Sequence, residues 1–194
     1  MSIAGRKFIS CHGQNNVPDG EIYTGPVENS VNGWERFSFP CIWSGNQVDA
    51  VEFVFEEGKV VKASAEKNVE FLQAILNTNP GAQYLDEFGI GTNRQIKQFT
   101  GNMLFDEKIG GTIHLAIGNG YPASGSMNKS AVHWECSATC VTAGRYSLIR
   151  NCFTIPGKSK FDGRNSNLIH ADMTSDRIID KQLVNQKFHL FQPD

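Results

Sequence analysis

The hydrophobic pattern changes period several times along the chain. Val48, Val51, Phe53 and Phe55 lead into Glu56-Glu57-Gly58-Lys59, and Val60 and Val61 follow. β-rich apolar runs on either side of a glycine turn predict a β-hairpin. Val69, Leu72, Ile75 and Leu76 then recur at helical spacing until Asn79-Pro80-Gly81. This predicts one helix over about 65–76. Residues 111–118 return to a period of two, with Ile113, Leu115 and Ile117 on one side and Thr112, His114 and Ala116 on the other. A further strand is expected over 130–135, where His133 and Glu135 share a face because side chains repeat every second residue. The rest reads as short strands and turns without repeats. The expected fold class is α+β: a β-rich domain with a twisted, mixed or antiparallel sheet and few helices.

Composition narrows the setting. A chain of 194 residues fits one domain able to bury a sizeable core. Its 40% hydrophobic and 20% charged residues are ordinary for a soluble globular protein. A formal net charge of −2 gives no reason to expect nucleic acid or an anionic membrane as partner. No apolar run approaches the roughly 18–20 residues needed to cross a bilayer. The first ten residues lack the apolar core of a secretion signal, so a cytoplasmic location is expected. The cysteines, Cys11, Cys41, Cys136, Cys140 and Cys152, are odd in number and irregular in spacing. This argues against a disulfide framework and against a cysteine metal site.

Several residues could carry chemistry. Glu21 follows the turn Pro18-Asp19-Gly20, and Glu87 lies among Tyr84, Leu85 and Phe88. A carboxylate in apolar company must be paired, hydrogen-bonded or metal-bound, unless it is a partly exposed strand residue. His114 and His133 are the histidines inside strongly patterned strands, and each alone is more often a satisfied core residue than a ligand. His133 with Glu135 is more informative, because one strand face can offer both to a single ion. Two histidines with several carboxylates suit zinc, cobalt or manganese by donor type. The glycines around Gly110-Gly111 and Gly118-Asn119-Gly120 lack the phosphate-loop pattern and read as close backbone approach. Tyr121, which follows at once, either packs or aims its phenol into that space.

The stretches NVPDGEIYTGPVENSVNG, GAQYLDEFGIGTN, FDEKIGGTIHLAIGNGYP and NKSAVHWE resemble the thermophilic aminopeptidase family of the aminopeptidase T and S type. The resemblance runs collinearly over about residues 3–134. It implies the family's C-terminal catalytic domain over 1–135, without the usual N-terminal domain. It also implies two divalent ions (zinc, cobalt or manganese), with Glu21, Glu87, His114 and His133 among their ligands. Tyr121 would be an active-site tyrosine, and Glu87 a candidate for catalysis; which carboxylate bridges or acts as base stays open. The implied activity is hydrolysis of the N-terminal peptide bond of peptides with a free N-terminus, by a water that the two ions activate. A homodimer is the implied assembly.

The resemblance breaks after His133-Trp134. The family pattern has Asp at the next position, then roughly Cys-Asp-Met-Arg and Gly-Gly-Glu-Ile, whereas this chain has Glu135-Cys136-Ser137-Ala138. Glu135 therefore stands where a metal-binding Asp is expected. Read from the third base of the Glu135 codon, with synonymous codons chosen to favour the match, the downstream stretch gives Met-Phe-Cys-Asp-Met-Arg-Asp-Gly-Gly-Glu-Ile. The expectation is a one-base loss, with residues 136–194 an atypical tail translated out of frame.

Overall fold

A computed structural model describes residues 1–139. The expected tail therefore lies outside the described residues except for 136–139. Ten strands and two helices follow in order. The first five strands are β1 (Ile9–Cys11), β2 (Glu21–Thr24), β3 (Gly33–Arg36), β4 (Cys41–Trp43) and β5 (Asn46–Val48). Then come β6 (Glu52–Glu56), β7 (Lys59–Ser64) and helix α1 (Val69–Leu76). The last are β8 (Leu85–Gly91), helix α2 (Met103–Asp106), β9 (Thr112–Gly118) and β10 (His133–Thr139). The fold is β-rich, and every pairing between strands is antiparallel.

The main sheet has the order β1-β2-β8-β9-β10, so strands far apart in sequence become neighbours. The expected hairpin forms as β6 and β7, joined to β3 in a second sheet, and β4 pairs with β5. One core fills the space between these layers. Ile113, Leu115 and Ile117 of β9, Phe88 of β8 and Trp134 of β10 pack with Phe37, Phe53 and Phe55. Helix α1 closes this core with Leu72, Ile75 and Leu76.

The helix starts four residues later than its pattern suggests. Glu66 donates its backbone N–H to the Asp49 carbonyl, and Lys67 forms an isolated bridge with Asp49. These bonds hold the chain extended up to Asn68, which turns it into the helix from a left-handed conformation. The last strand also begins later than expected, at His133, and it continues through Thr139. Cys136, Ser137, Ala138 and Thr139 keep the β9 register opposite Leu115, His114, Ile113 and Thr112. The far edge of β10 is covered by the segment before β4, where Phe39 N–H donates to the Ser137 carbonyl and Thr139 N–H to Ser38 Oγ.

Contrary to the cysteine count, Cys41 and Cys136 form a disulfide across this contact, with Cα atoms 5.0 Å apart. Their separation of 95 residues leaves no local spacing to read. Both are buried at the β4–β10 contact. A crosslink that closes so long a loop restricts the unfolded chain, an effect typically worth about 2–4 kcal/mol. Cys41→Ser is expected to lower the urea unfolding free energy by about that much, and reductant should bring the parent chain to the same value.

Candidate metal centre

The main sheet turns one face to the core, while the other gathers polar side chains from four strands. On β9, alternation sends Ile113, Leu115 and Ile117 to the core and His114 to the opposite face. On β10, Trp134 and Cys136 go to the core, while His133 and Glu135 share the polar face, as expected. On β8, simple alternation would place Leu85 and Glu87 on the same side. A bulge separates them: Leu85 pairs with Ile117 and Glu87 with Ala116, leaving Asp86 as the extra residue. Leu85 thus stays in the core while Glu87 meets the histidines.

His114 reaches its partners over a glycine. Gly89 lies between it and β2 in the sheet, paired with His114 on one side and Tyr23 on the other. A Cβ at Gly89 would sit 1.9 Å from His114 Nε2, so the ring occupies the space that any side chain there would need. This is the close approach that a strand glycine permits.

Glu21, Glu87, His114, His133 and Glu135 all converge. His114 Nε2 is 3.4 Å from Glu21 Oε2 and 3.5 Å from Glu87 Oε1. His133 Nε2 is 3.0 Å from Glu135 Oε1. Two groups result, Glu21–Glu87–His114 and Glu87–His133–Glu135, each with its potential ligand atoms within 4.8 Å of one another. Glu87 belongs to both. Neither nitrogen of the fully buried His114 makes a hydrogen bond, and neither does Glu135 Oε2. Buried polar atoms without such partners are costly, so these atoms and the donor set fit cations between them.

The outer contacts set orientation. His133 Nδ1 lies 2.9 Å from the Asn119 carbonyl, which can only accept, so Nδ1 carries the proton and Nε2 points inward. Asp86 Oδ2 is 3.5 Å from the same Nδ1. Tyr121 packs edge-on against His133, with ring centroids 5.1 Å apart, and its ring lies 5.9 Å from that of Tyr23. Tyr121 is 47% exposed, so it packs on His133 while much of its surface stays open to solvent.

Burial raises the pKa of Glu21 and Glu87. Burial opposes charge on His114, but Glu87, Glu135 and Glu21 outweigh it and push the imidazole up to about 9. For His133 burial is likewise outweighed, here by Asp86 and Glu135, and its pKa rises to about 12. Without metal, protons hold the carboxylates together. A histidine pKa above its unfolded value means that the folded chain binds more protons. The associated stability is complete below about pH 6.5 and falls as pH rises through about 9 for His114. Cations need the deprotonated ligands, so the sign reverses on metal binding. Zinc affinity is expected to rise by about tenfold per pH unit for each proton displaced between pH 7 and 9. Calorimetry in two buffers of different ionisation enthalpy measures the released protons.

Three participants escaped the sequence pattern. Asp86 becomes a partner of His133 only because of the bulge. Glu107 and Lys108 sit just after α2, in the FDEKIGG stretch. The Glu107 carboxyl is pushed up to about 8, first by burial and then by contact with Glu135. Lys108 is fully buried, bonds Glu107 and lies 3.3 Å from Glu21 Oε1. The available signal was a run of three charges, Asp106-Glu107-Lys108, between Phe105 and Ile109-Gly110-Gly111. Cys11 also approaches Asp19 and Glu21. Burial pushes its thiol up to about 12, and Asp19 already accepts from Gly13 and Gly20, so this group is a poor ligand set.

Comparisons with known proteins place the chain in a family. Residues 2–145 match the thermophilic metalloprotease family, M29. The chain is 34% identical to Aminopeptidase 2 of Geobacillus stearothermophilus over 113 residues, covering 56% of this chain and 27% of that protein. Against Aminopeptidase T of Thermus aquaticus it is 34% identical over 110 residues, 55% of this chain and 26% of that protein. The structure resembles wild-type AmpT from Thermus thermophilus with a TM-score of 0.59 at 26% identity, covering 69% of this chain and 38% of that one. The chain thus spans about a quarter of the length of these aminopeptidases. A family match across most of the chain, together with buried carboxylates and histidines able to hold metal, leads to one conclusion: this chain belongs to the thermophilic metalloprotease family, M29.

Proposed function

We propose that this chain carries the dinuclear metal centre of an aminopeptidase that hydrolyses the N-terminal bond of peptides. The observation that carries this reading is the sharing of Glu87 by two ligand groups. A carboxylate common to both groups would help to hold an ion at each position. In this reading Glu21 and His114 complete one position, and His133 and Glu135 the other. Zinc, cobalt or manganese would polarise the peptide carbonyl and acidify a water there.

The chain's own residues supply the remaining work. Glu21, Glu87 and Glu135 offset the charge of the ion pair. Asn119 holds the His133 tautomer through Nδ1. Tyr121, whose phenol is raised in pKa first by burial, stays protonated at neutral pH and faces solvent. From there it can donate to the carbonyl oxygen as negative charge develops, a role commonly worth a few kcal/mol. Peptides with a free N-terminus are the substrates and a homodimer the assembly in this proposal.

The test combines metal analysis with turnover of an aminoacyl p-nitroanilide and of the same compound with a blocked amine. The expected result is two ions per chain and cleavage of the unblocked compound alone. Failure to bind zinc, cobalt or manganese overturns the reading, and metal binding without turnover limits it to a metal-binding segment.

A further inference from the structure

We propose that the two ion positions are unequal, Glu87–His133–Glu135 being the tighter, and that Lys108 weakens the Glu21–Glu87–His114 position. This rests on the dinuclear reading above. The ammonium of Lys108 has no access to solvent and lies 3.3 Å from a Glu21 oxygen. Glu21 belongs to only one of the two metal groups. A fixed positive charge beside that ligand withdraws negative charge from a cation and repels the cation itself. Little water is present to screen the effect.

The other position has the opposite surroundings. His133 presents Nε2 toward Glu135 while its Nδ1 faces the Asn119 carbonyl and Asp86 Oδ2. An outer carboxylate and carbonyl behind a histidine fix its ring and raise its basicity, and losing such partners typically costs 10–100-fold in metal affinity. His114 has no such support, since its Nδ1 is buried without a hydrogen bond. Lys108 is therefore a positioning residue with a second consequence. It holds Glu21 and Glu107 together before metal arrives, and it opposes the second ion when that ion enters.

The test titrates metal-free protein with cobalt, followed by visible absorption, and with zinc, followed by calorimetry. Two steps at least tenfold apart are expected. His133→Ala should remove the tight step and His114→Ala the weak one. Lys108→Met, of similar length and without charge, should strengthen the weak step at least tenfold and leave the tight step within about threefold. A purely structural lysine would weaken the step instead. Asp86→Asn should weaken the tight step alone, and this arm decides the matter if Lys108→Met does not fold. Two equal steps, loss of the tight step in His114→Ala, or a weaker step in folded Lys108→Met overturns the inference while leaving the dinuclear reading standing. Absence of any binding overturns both.

Discussion

Replacing Glu87 with glutamine is expected to remove both metal ions together. Glu87 is 3% exposed and common to both ligand groups. The substitution keeps shape and volume but exchanges a carboxylate oxygen for an amide nitrogen, which cannot coordinate a cation. Loss of an outer-shell partner alone costs 10–100-fold in affinity, so loss of a shared ligand should exceed ~100-fold at each position. Under the proposed function, peptide hydrolysis should fall at least as far. The fold should survive, because burial already disfavours the Glu87 charge and no apolar packing is removed. The measurement is thermal unfolding with and without zinc. At a zinc concentration 100 times the dissociation constant, the parent chain should gain roughly 2.7 kcal/mol for an occupied site, and Glu87→Gln less than about 0.4 kcal/mol at the same concentration. A variant that still binds two ions with parental affinity would place Glu87 outside the centre.

Gly89→Ala should separate the two positions. Gly89 is not in a left-handed conformation, so its backbone accepts alanine. The added methyl would lie 1.9 Å from Nε2, 2.3 Å from Cε1 and 2.7 Å from Cδ2 of His114. The ring must leave its place between Glu21 and Glu87, and a functional site tolerates displacements of only about 0.5 Å. The overpacking should cost roughly 1–3 kcal/mol of stability. Glu87, His133 and Glu135 keep their places, so stoichiometry should fall from two ions to one. Elemental analysis after dialysis reads this directly. Two retained ions would show that His114 is not a ligand, and complete loss that the positions cannot fill separately.

The contrast between these variants marks what was legible in the sequence. Strand β9 could be read from its alternation, because one residue in two faces the core and the period survives whatever lies alongside. The β6–β7 hairpin and the buried face of α1 were legible for the same reason. Glu21, Glu87, His114 and His133 stood out as polar side chains in apolar company, and the shared face of His133 and Glu135 follows from strand geometry alone. The family, too, could be recognised from collinear motifs.

Tertiary structure decided what those residues do together. Local alternation on β8 places Leu85 and Glu87 on one face, and only the bulge at Asp86, formed against β9, sends them to opposite sides. Gly89 reads as an ordinary strand glycine until His114 is laid across it from the neighbouring strand. Glu107 and Lys108 gain their role from contacts with β2 and β10, and Cys41 finds Cys136 from 95 residues away. The physical reason is common to all four. Period and composition report how a segment meets water or a core, whereas register, bulges and crossing strands arise only when segments pair. Sequence by itself determined which side chains had to be sheltered, and pairing within the folded chain decided which of them meet at one candidate site, share a proton or form a bond.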